Sequence, residues 1–190
     1  AANQPKRFRM VTDMRPLNQY TAPTPLQLPP LEEQFNFIHG SKFFASLDIL
    51  SGFDYLPTHP DSQDLFCIIT SFGAFQYLGA PQGWCNTPAF FSSRIMQEVL
   101  SPAGLLGNDK DPHRQALQWI DDTLIFGSNF NEFLDRFERF LKQIIEMRVR
   151  LSIEKCELLS QELEWCGRII SPEGWKFPER YFEKAFLASR

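Results

Sequence analysis

Apolar positions along the 190 residues follow two periods. Short, nearly continuous apolar runs bounded by polar breaks signal strands, and apolar residues recurring every three to four positions signal helices. Phe43–Ile49 is of the first kind, a strand carrying a lone aspartate, Asp48, at its end before Ser51-Gly52 breaks it. Ala116–Ile120 and Thr123–Phe126 predict two more strands, joined at Asp121-Asp122. A two-residue link between such runs is a tight hairpin, although the favoured hairpin turns need positive φ and neither residue here is glycine. Leu65–Phe72 and Phe75–Leu78 predict a second hairpin around Gly73, rich in β-branched and aromatic residues. Lys6–Met14 reads as a strand carrying Arg7 and Arg9, and Leu163–Ile170 as a late strand leaving through the turn Ser171–Gly174.

Phe133, Leu134, Phe137, Leu141, Ile144 and Ile145 form a helical stripe, with Asn131 as its candidate N-cap. Phe91, Ile95, Met96 and Val99 place another helix within Pro88–Leu100. Leu31, Phe35 and Ile38 predict a short helix over Pro30–His39, stopped by Gly40. Between Thr21 and Pro30, four prolines impose an extended connector. Pro81–Trp84 is a turn and Ser101–Pro112 a loop. Strands mixed with two long helices able to cover one face predict an α+β layer.

Composition narrows the class. A hydrophobic share of 43% with 19 phenylalanines implies an aromatic-rich globular core and excludes disorder. The length suits one domain or one lobe of a larger protein. A net charge of −4 argues against a surface that is nucleic-acid footprint throughout, because lysine and arginine drive such binding. Basic residues do gather locally, at Lys6, Arg7 and Arg9 and again at Arg148, Arg150 and Lys155, as solvated faces or contact sites. Cys67, Cys85, Cys156 and Cys166 form no C-x-x-C pair, and His39, His59 and His113 lie at no zinc-like spacing to them. Reduced, mostly buried thiols are expected. No run reaches the ~18 apolar residues of a membrane span and Ala1–Met10 has no signal-peptide pattern, so the expectation is an intracellular protein with no membrane partner.

Adjacent carboxylates at an apolar hairpin tip repel, and burial raises their pKa values unless a cation compensates. A divalent ion would satisfy both, and magnesium prefers oxygen ligands. From Gln118–Gly127 alone, a surface turn and a metal site read equally well. Asp48 by itself reads more simply as a turn residue ending its strand. If that strand neighbours the hairpin, three carboxylates converge and suit a pair of magnesium ions working on a phosphoryl group.

Several stretches carry a resemblance when taken in order. These are Arg9–Asn18 with its Asp-x-Arg-x-Leu-Asn core, Ser41–Phe53, Pro81–Phe91, Trp119–Asp122, Leu151–Glu157 and Leu163–Gly167. Over Lys6 to about Pro178 the chain resembles the fingers and palm of a reverse transcriptase (RNA-directed DNA polymerase), closest to gypsy-type LTR retrotransposon polyproteins. The resemblance implies a reverse-transcriptase-like palm, an antiparallel sheet with helices packed on one face, and partial fingers. It implies partial fingers and connector over residues 1–40, a palm over 41–178, and the start of a thumb or tail over 179–190.

The implied activity is template-directed DNA synthesis by two-metal nucleotidyl transfer. Asp48, Asp121, Asp122 and the Ile49 carbonyl would hold two Mg2+ (or Mn2+) ions. Arg9 would neutralise the triphosphate, and Phe53 would lie under the sugar and exclude a ribose 2′-hydroxyl. Gln82 would reach the sugar, with Gly83 allowing close backbone approach. Lys155 would protonate departing pyrophosphate, and Trp165, Cys166 and Gly167 would form the primer-gripping turn. Taken singly, Arg9 and Lys155 read as solvated cations, Phe53 as core, Pro81–Trp84 as a plain turn and Trp165–Gly167 as a buried strand end.

Two residues depart from the family pattern: Trp119 stands where a tyrosine is usual, and Asp54 adds acid beside Phe53. The implied partners are an RNA or DNA template with primer, deoxynucleoside triphosphates, and the missing fingers, thumb and ribonuclease H segments of a parent polyprotein. The rival reading is a domesticated or truncated non-catalytic domain that binds nucleic acid or protein. An unrelated two-metal nuclease has no need of the Gln82 and Phe53 motifs.

Overall fold

Residues 11–26, 28–107 and 114–182 are described by the computed structural model. Arg9, with Lys6, Arg7 and most of the expected Lys6–Met14 strand, lies outside them, and Val11–Met14 form no strand. The described chain begins with a short helix that no apolar stripe signals, α1 (Arg15–Asn18), followed by α2 (Leu31–Gln34), which tightens into a 3-10 turn over Phe35–Ile38. Next come β1 (Phe43–Asp48), 3-10 turns over Gly52–Tyr55 and Pro60–Phe66, and the hairpin β2 (Cys67–Thr70) and β3 (Gly73–Gln76). α3 (Thr87–Ile95) continues as a π-helical turn over Met96–Leu100. After β4 (Ala116–Trp119), β5 (Asp122–Gly127) and α4 (Phe130–Glu146), the chain ends in β6 (Glu157–Ser160), β7 (Leu163–Trp165), β8 (Arg168–Ser171) and β9 (Gly174–Lys176). Residues 179–182 are helical.

One four-stranded antiparallel sheet, in the order β4-β5-β1-β6, organises the rest. Side chains alternate across its strands, so each strand serves both faces. Ala45, Leu47, Ala116 and Ile125 point to the helical side and pack with Phe91, Ile95 and Val99 from the α3 region and with Phe133, Phe140 and Ile144 of α4. Phe44, Leu117, Leu124 and Phe126 point to the other side, against Phe35, Ile38, Leu163, Trp165 and Ile170. The long helices thus cover one face, as the pattern predicts. A small antiparallel sheet, β7-β8-β9, covers part of the other.

Several boundaries differ from expectation. The hairpin link is Ile120-Asp121 rather than Asp121-Asp122, because Trp119 pairs with Asp122. Ile120 takes a φ of 57°, a costly conformation for a β-branched residue. Gln118, buried, donates from Nε2 to the Ile120 carbonyl at 3.0 Å and braces that turn. α4 is capped by Asn129, not Asn131: the Asn129 side chain accepts from the Glu132 N–H while the Glu132 carboxylate accepts from the Ser128 N–H. That reciprocal pairing is a capping-box variant, legible as Asn129-x-x-Glu132. The expected Leu163–Ile170 strand is a hairpin, folded at Cys166-Gly167 with φ values of 48° and 72°. Residues 30–39 hold one helical turn and a 3-10 turn, and the hairpin around Gly73 opens at Cys67 because residues 60–66 are 3-10. The cysteines are free, but not mostly buried: Cys67 and Cys85 are exposed, and Cys156 and Cys166 half-buried.

Among the described residues no helix is long and apolar enough to cross a membrane. β5 meets α4 so closely at Gly127 that an added Cβ would lie 2.7 Å from the Phe133 backbone nitrogen and 2.8 Å from its Cα. Backbone cannot swing aside as a side-chain tip can. Gly127→Ala is expected to destabilise the fold by about 1–3 kcal/mol, as overpacking does, measurable as an earlier urea midpoint with unchanged slope. An unchanged midpoint would refute this packing.

Candidate active site

Asp48 is the last residue of β1 and Asp122 the first of β5, and the register sets them directly opposite one another. Both lie on the sheet face that carries Phe44 and Phe126, away from α3 and α4, because all share the alternation of that face. Asp121 precedes Asp122 in the hairpin turn and is exposed. The condition for convergence is therefore met: the two strands are neighbours.

The segment 150–156 secures the Asp48 backbone. Asp48 O accepts from Ser152 N at 2.9 Å, Asp48 N–H donates to Cys156 Sγ at 3.4 Å, and Leu50 N donates to Arg150 O at 2.8 Å. The same segment brings Lys155, whose Nζ lies 3.0 Å from Asp48 Oδ2 and 3.2 Å from Oδ1. Lys155 is thus an ion-pair partner of Asp48 as well as an exposed lysine.

Negative charge is incompletely balanced. Partial burial, then the neighbouring Asp121 and Asp48 carboxylates, push the Asp122 pKa from the ordinary 3.8 up to about 6, with Lys155 opposing. Burial also pushes the Cys166 thiol upward, and Asp122 and Asp121 add to that shift, so the 166–167 turn lies within electrostatic reach of the aspartates. Trp165 is fully buried, edge-on to Phe35 at 6.1 Å. Its ring belongs to the core, so only Cys166 and Gly167 of the expected primer-gripping turn face outward to any degree.

A cleft of about 480 Å³ opens beside the carboxylates, lined by Asp48, Ile49, Phe53, Gln82, Asp121 and Lys155 among others. Five of the expected side chains and the Ile49 carbonyl's residue, drawn from four separate stretches, meet there. Asp122 and Gly83 are not among its lining residues, though each is next in sequence to one that is, and Asp54 and Glu154 add acid to its walls. Gly83 adopts a φ of 95°, which an L side chain resists. Two asparagines escaped the sequence reading. Asn18 donates from Nδ2 to Gly83 O at 2.9 Å and accepts from Cys85 N at 3.0 Å, tying α1 to the Gln82 turn. Asn86, buried, accepts from Thr24 N and donates to Ala22 O, tying the proline connector to α3. Both lie in the quoted motifs, which is the signal that could have marked them.

Among the described residues no three acidic, histidine or cysteine side chains converge tightly enough to enclose one metal ion. The donor chemistry nonetheless fits a hard divalent cation, since carboxylates gather at the ends of the two central strands and burial, with Asp121 and Asp48, raises Asp122.

The model of the family described as "Reverse transcriptase (RNA-dependent DNA polymerase)" matches residues 2–170. The chain belongs to this family. Reverse transcriptases generally use divalent metal ions. The chain is 29% identical over 175 residues to the retrovirus-related Pol polyprotein from transposon 297 of Drosophila melanogaster, covering 92% of the chain and 16% of that polyprotein. It is 28% identical over 168 residues to the transposon Tf2-3 polyprotein of Schizosaccharomyces pombe, covering 88% and 12% respectively. It therefore spans only about a sixth to an eighth of these polyproteins' lengths. The fold matches the foamy viral protease-reverse transcriptase solved with double-stranded DNA, at a TM-score of 0.79 and 23% identity over 95% of this chain and 31% of that one. The same viral protein solved with an RNA/DNA hybrid gives 0.74 at 22% identity, over 96% and 23%.

Because folding raises the Asp122 pKa, the folded chain binds more protons than the unfolded one between pH 3.8 and about 6. Stability falls across that window as pH rises, and the deficit persists above it. Without divalent ions, Asp122→Asn is expected to stabilise the chain at pH 7.5 by on the order of 1 kcal/mol, a value discounted for partial exposure. Below about pH 4 the gain should vanish. Urea unfolding at both pH values tests this, and no gain at pH 7.5 would contradict it.

Proposed function

We propose that this chain is the catalytic lobe of a retroelement reverse transcriptase, adding deoxynucleotides to a primer end under the direction of an RNA or DNA template. The observation that carries the proposal is the register pair Asp48 and Asp122, with Asp121 one residue away, beside a cleft that also holds Phe53, Gln82 and Lys155. Palm residues 41–178, a partial fingers segment over 1–40 and the start of a thumb over 179–190 are the corresponding division of the chain. Family membership and the DNA and RNA/DNA complexes of the foamy viral protein support nucleic acid as partner.

In this reading Asp48, Asp121, Asp122 and the Ile49 carbonyl hold two magnesium or manganese ions, which supply activation of the primer hydroxyl and stabilisation of the leaving oxygen. Each protein group has a task of its own. Gln82, exposed at the cleft wall, bonds the nucleotide sugar, and Gly83 keeps the turn close to it. Phe53 limits the space beside the sugar's C2′ and so favours deoxynucleotides. Lys155 carries a proton on Nζ and delivers it to departing pyrophosphate as a general acid. The backbone turn at Cys166-Gly167 steadies the primer terminus, while Trp165 anchors that turn in the core. Arg9 neutralises the triphosphate through its forked guanidinium.

Manganese titration of the chain with and without a deoxynucleoside triphosphate tests the proposal. Binding that tightens with nucleotide and drops at least tenfold in both Asp48→Asn and Asp121→Asn is expected, since each variant removes a charged ligand oxygen. Nucleotide-independent binding, or binding untouched by both substitutions, would instead favour a non-catalytic interaction domain.

A further inference from the structure

The 3-10 turn Gly52–Tyr55, which carries Phe53 into the cleft wall, has little backbone freedom of its own. It follows Ser51, held at a φ of 52°, and is closed by backbone hydrogen bonds from Asp54 N to Ser51 O and from Leu56 N to Phe53 O, both at 3.0 Å. Its support comes from α3. Phe91, 1% exposed, meets the Phe53 ring edge-to-face, with centroids 5.4 Å apart and planes at 76°. The same ring lies so near Gly52 that an added Cβ would sit 2.4 Å from Phe91 Cζ. One helical turn further on, Arg94 donates from Nη1 to the Tyr55 carbonyl at 2.5 Å. The backbone also passes close to Gly79, where an added Cβ would lie 2.8 Å from the Asp54 carbonyl oxygen. The close backbone at Gly79 and the buried Phe91 ring together restrict where the turn can sit.

We propose that Phe91 is a specificity-determining positioning residue: its buried ring sets how far Phe53 stands into the cleft, and thereby how well a ribose 2′-hydroxyl is excluded. The inference rests on the reading of Phe53 as the sugar-discriminating residue. An aromatic edge that stops a single hydroxyl oxygen must be held closely in place, since a misplacement of about 1 Å can already cost about a hundredfold in rate at a reacting centre. Interiors are close-packed, so a shortened side chain at position 91 lets the neighbouring ring relax toward the space left behind. Phe91 touches no nucleotide in this scheme and acts only through Phe53. It also links sugar selection to α3, whose N-terminal end follows directly on the turn holding Gln82.

The test compares binding of deoxyguanosine triphosphate and guanosine triphosphate, each with manganese, to the 190-residue chain and to four variants. Phe53→Ala is expected to narrow the deoxy preference, and Phe91→Leu to narrow it about tenfold through displacement alone. Gly52→Ala, which drives a methyl against the intact Phe91 ring, should narrow it as well. The double variant Gly52→Ala/Phe91→Leu should recover part of what Gly52→Ala loses, because the shorter side chain makes room for the methyl. Unfolding midpoints are recorded for every variant. Lower midpoints with an unchanged deoxy preference in Phe91→Leu and Gly52→Ala, while Phe53→Ala abolishes it, would overturn the inference and leave Phe91 as core alone. An unchanged preference in Phe53→Ala defeats the underlying reading of the gate instead, as does absence of any nucleotide-linked binding in the unaltered chain, and either removes the inference with it.

Discussion

The pairing of β1 with β5 puts two carboxylates opposite one another, and the rest of the structure makes that arrangement tolerable. Asp48 and Asp122 share a register position and repel. What holds them there is the apolar content of the same two strands: Phe44, Leu47, Leu124, Ile125 and Phe126 are all buried. Each such side chain contributes about 1.5–3 kcal/mol on burial, so together they outweigh the combined cost of partly burying Asp122 and setting it beside two other carboxylates. A slip of one residue would separate the charges but turn every one of those side chains to the wrong face. Hydrophobic register thus imposes an electrostatic cost at one end of the two central strands, and that cost makes this end attractive to cations.

Local positive charge meets only part of the demand. Lys155 reaches Asp48 from a segment more than a hundred positions away, and the hydrogen bonds around Ser152 and Cys156 fix that segment to the Asp48 backbone. Asp122 stays raised all the same. The chain is acidic overall and the cleft walls add Asp54 and Glu154, so any polyanionic partner must be met by bound cations or by basic residues carried elsewhere.

The cleft is assembled from pieces with no local reason to meet. Asn18 and Asn86 work as braces, converting backbone groups of extended connectors into satisfied hydrogen bonds and fixing the Gln82 turn relative to α1 and α3. Such hydrogen bonds stabilise little in total, but beside the buried Asn86 a backbone group left unpaired would cost about 1–3 kcal/mol. Their contribution is therefore one of geometry: they select a single arrangement of loops over a rigid sheet.

Residue order alone determined the family resemblance, the α+β class, β1, the hairpin region of β4 and β5, and the existence of α4, because each depends on periodicity or motif spacing within one stretch. The sequence could also nominate Asp48, Asp121 and Asp122 by type and position. Tertiary structure decided what local preference argues against or leaves open. Ile120 rather than an aspartate shares the hairpin link with Asp121, since packing on both sheet faces outweighs the aversion of a β-branched residue to positive φ. The break at Cys166-Gly167, the inward Trp165, the Lys155–Asp48 ion pair and the seating of Phe53 against Phe91 all depend on contacts between distant segments. Such contacts leave no periodic trace, because what fixes them is the space remaining once the strands have paired and the helices have packed.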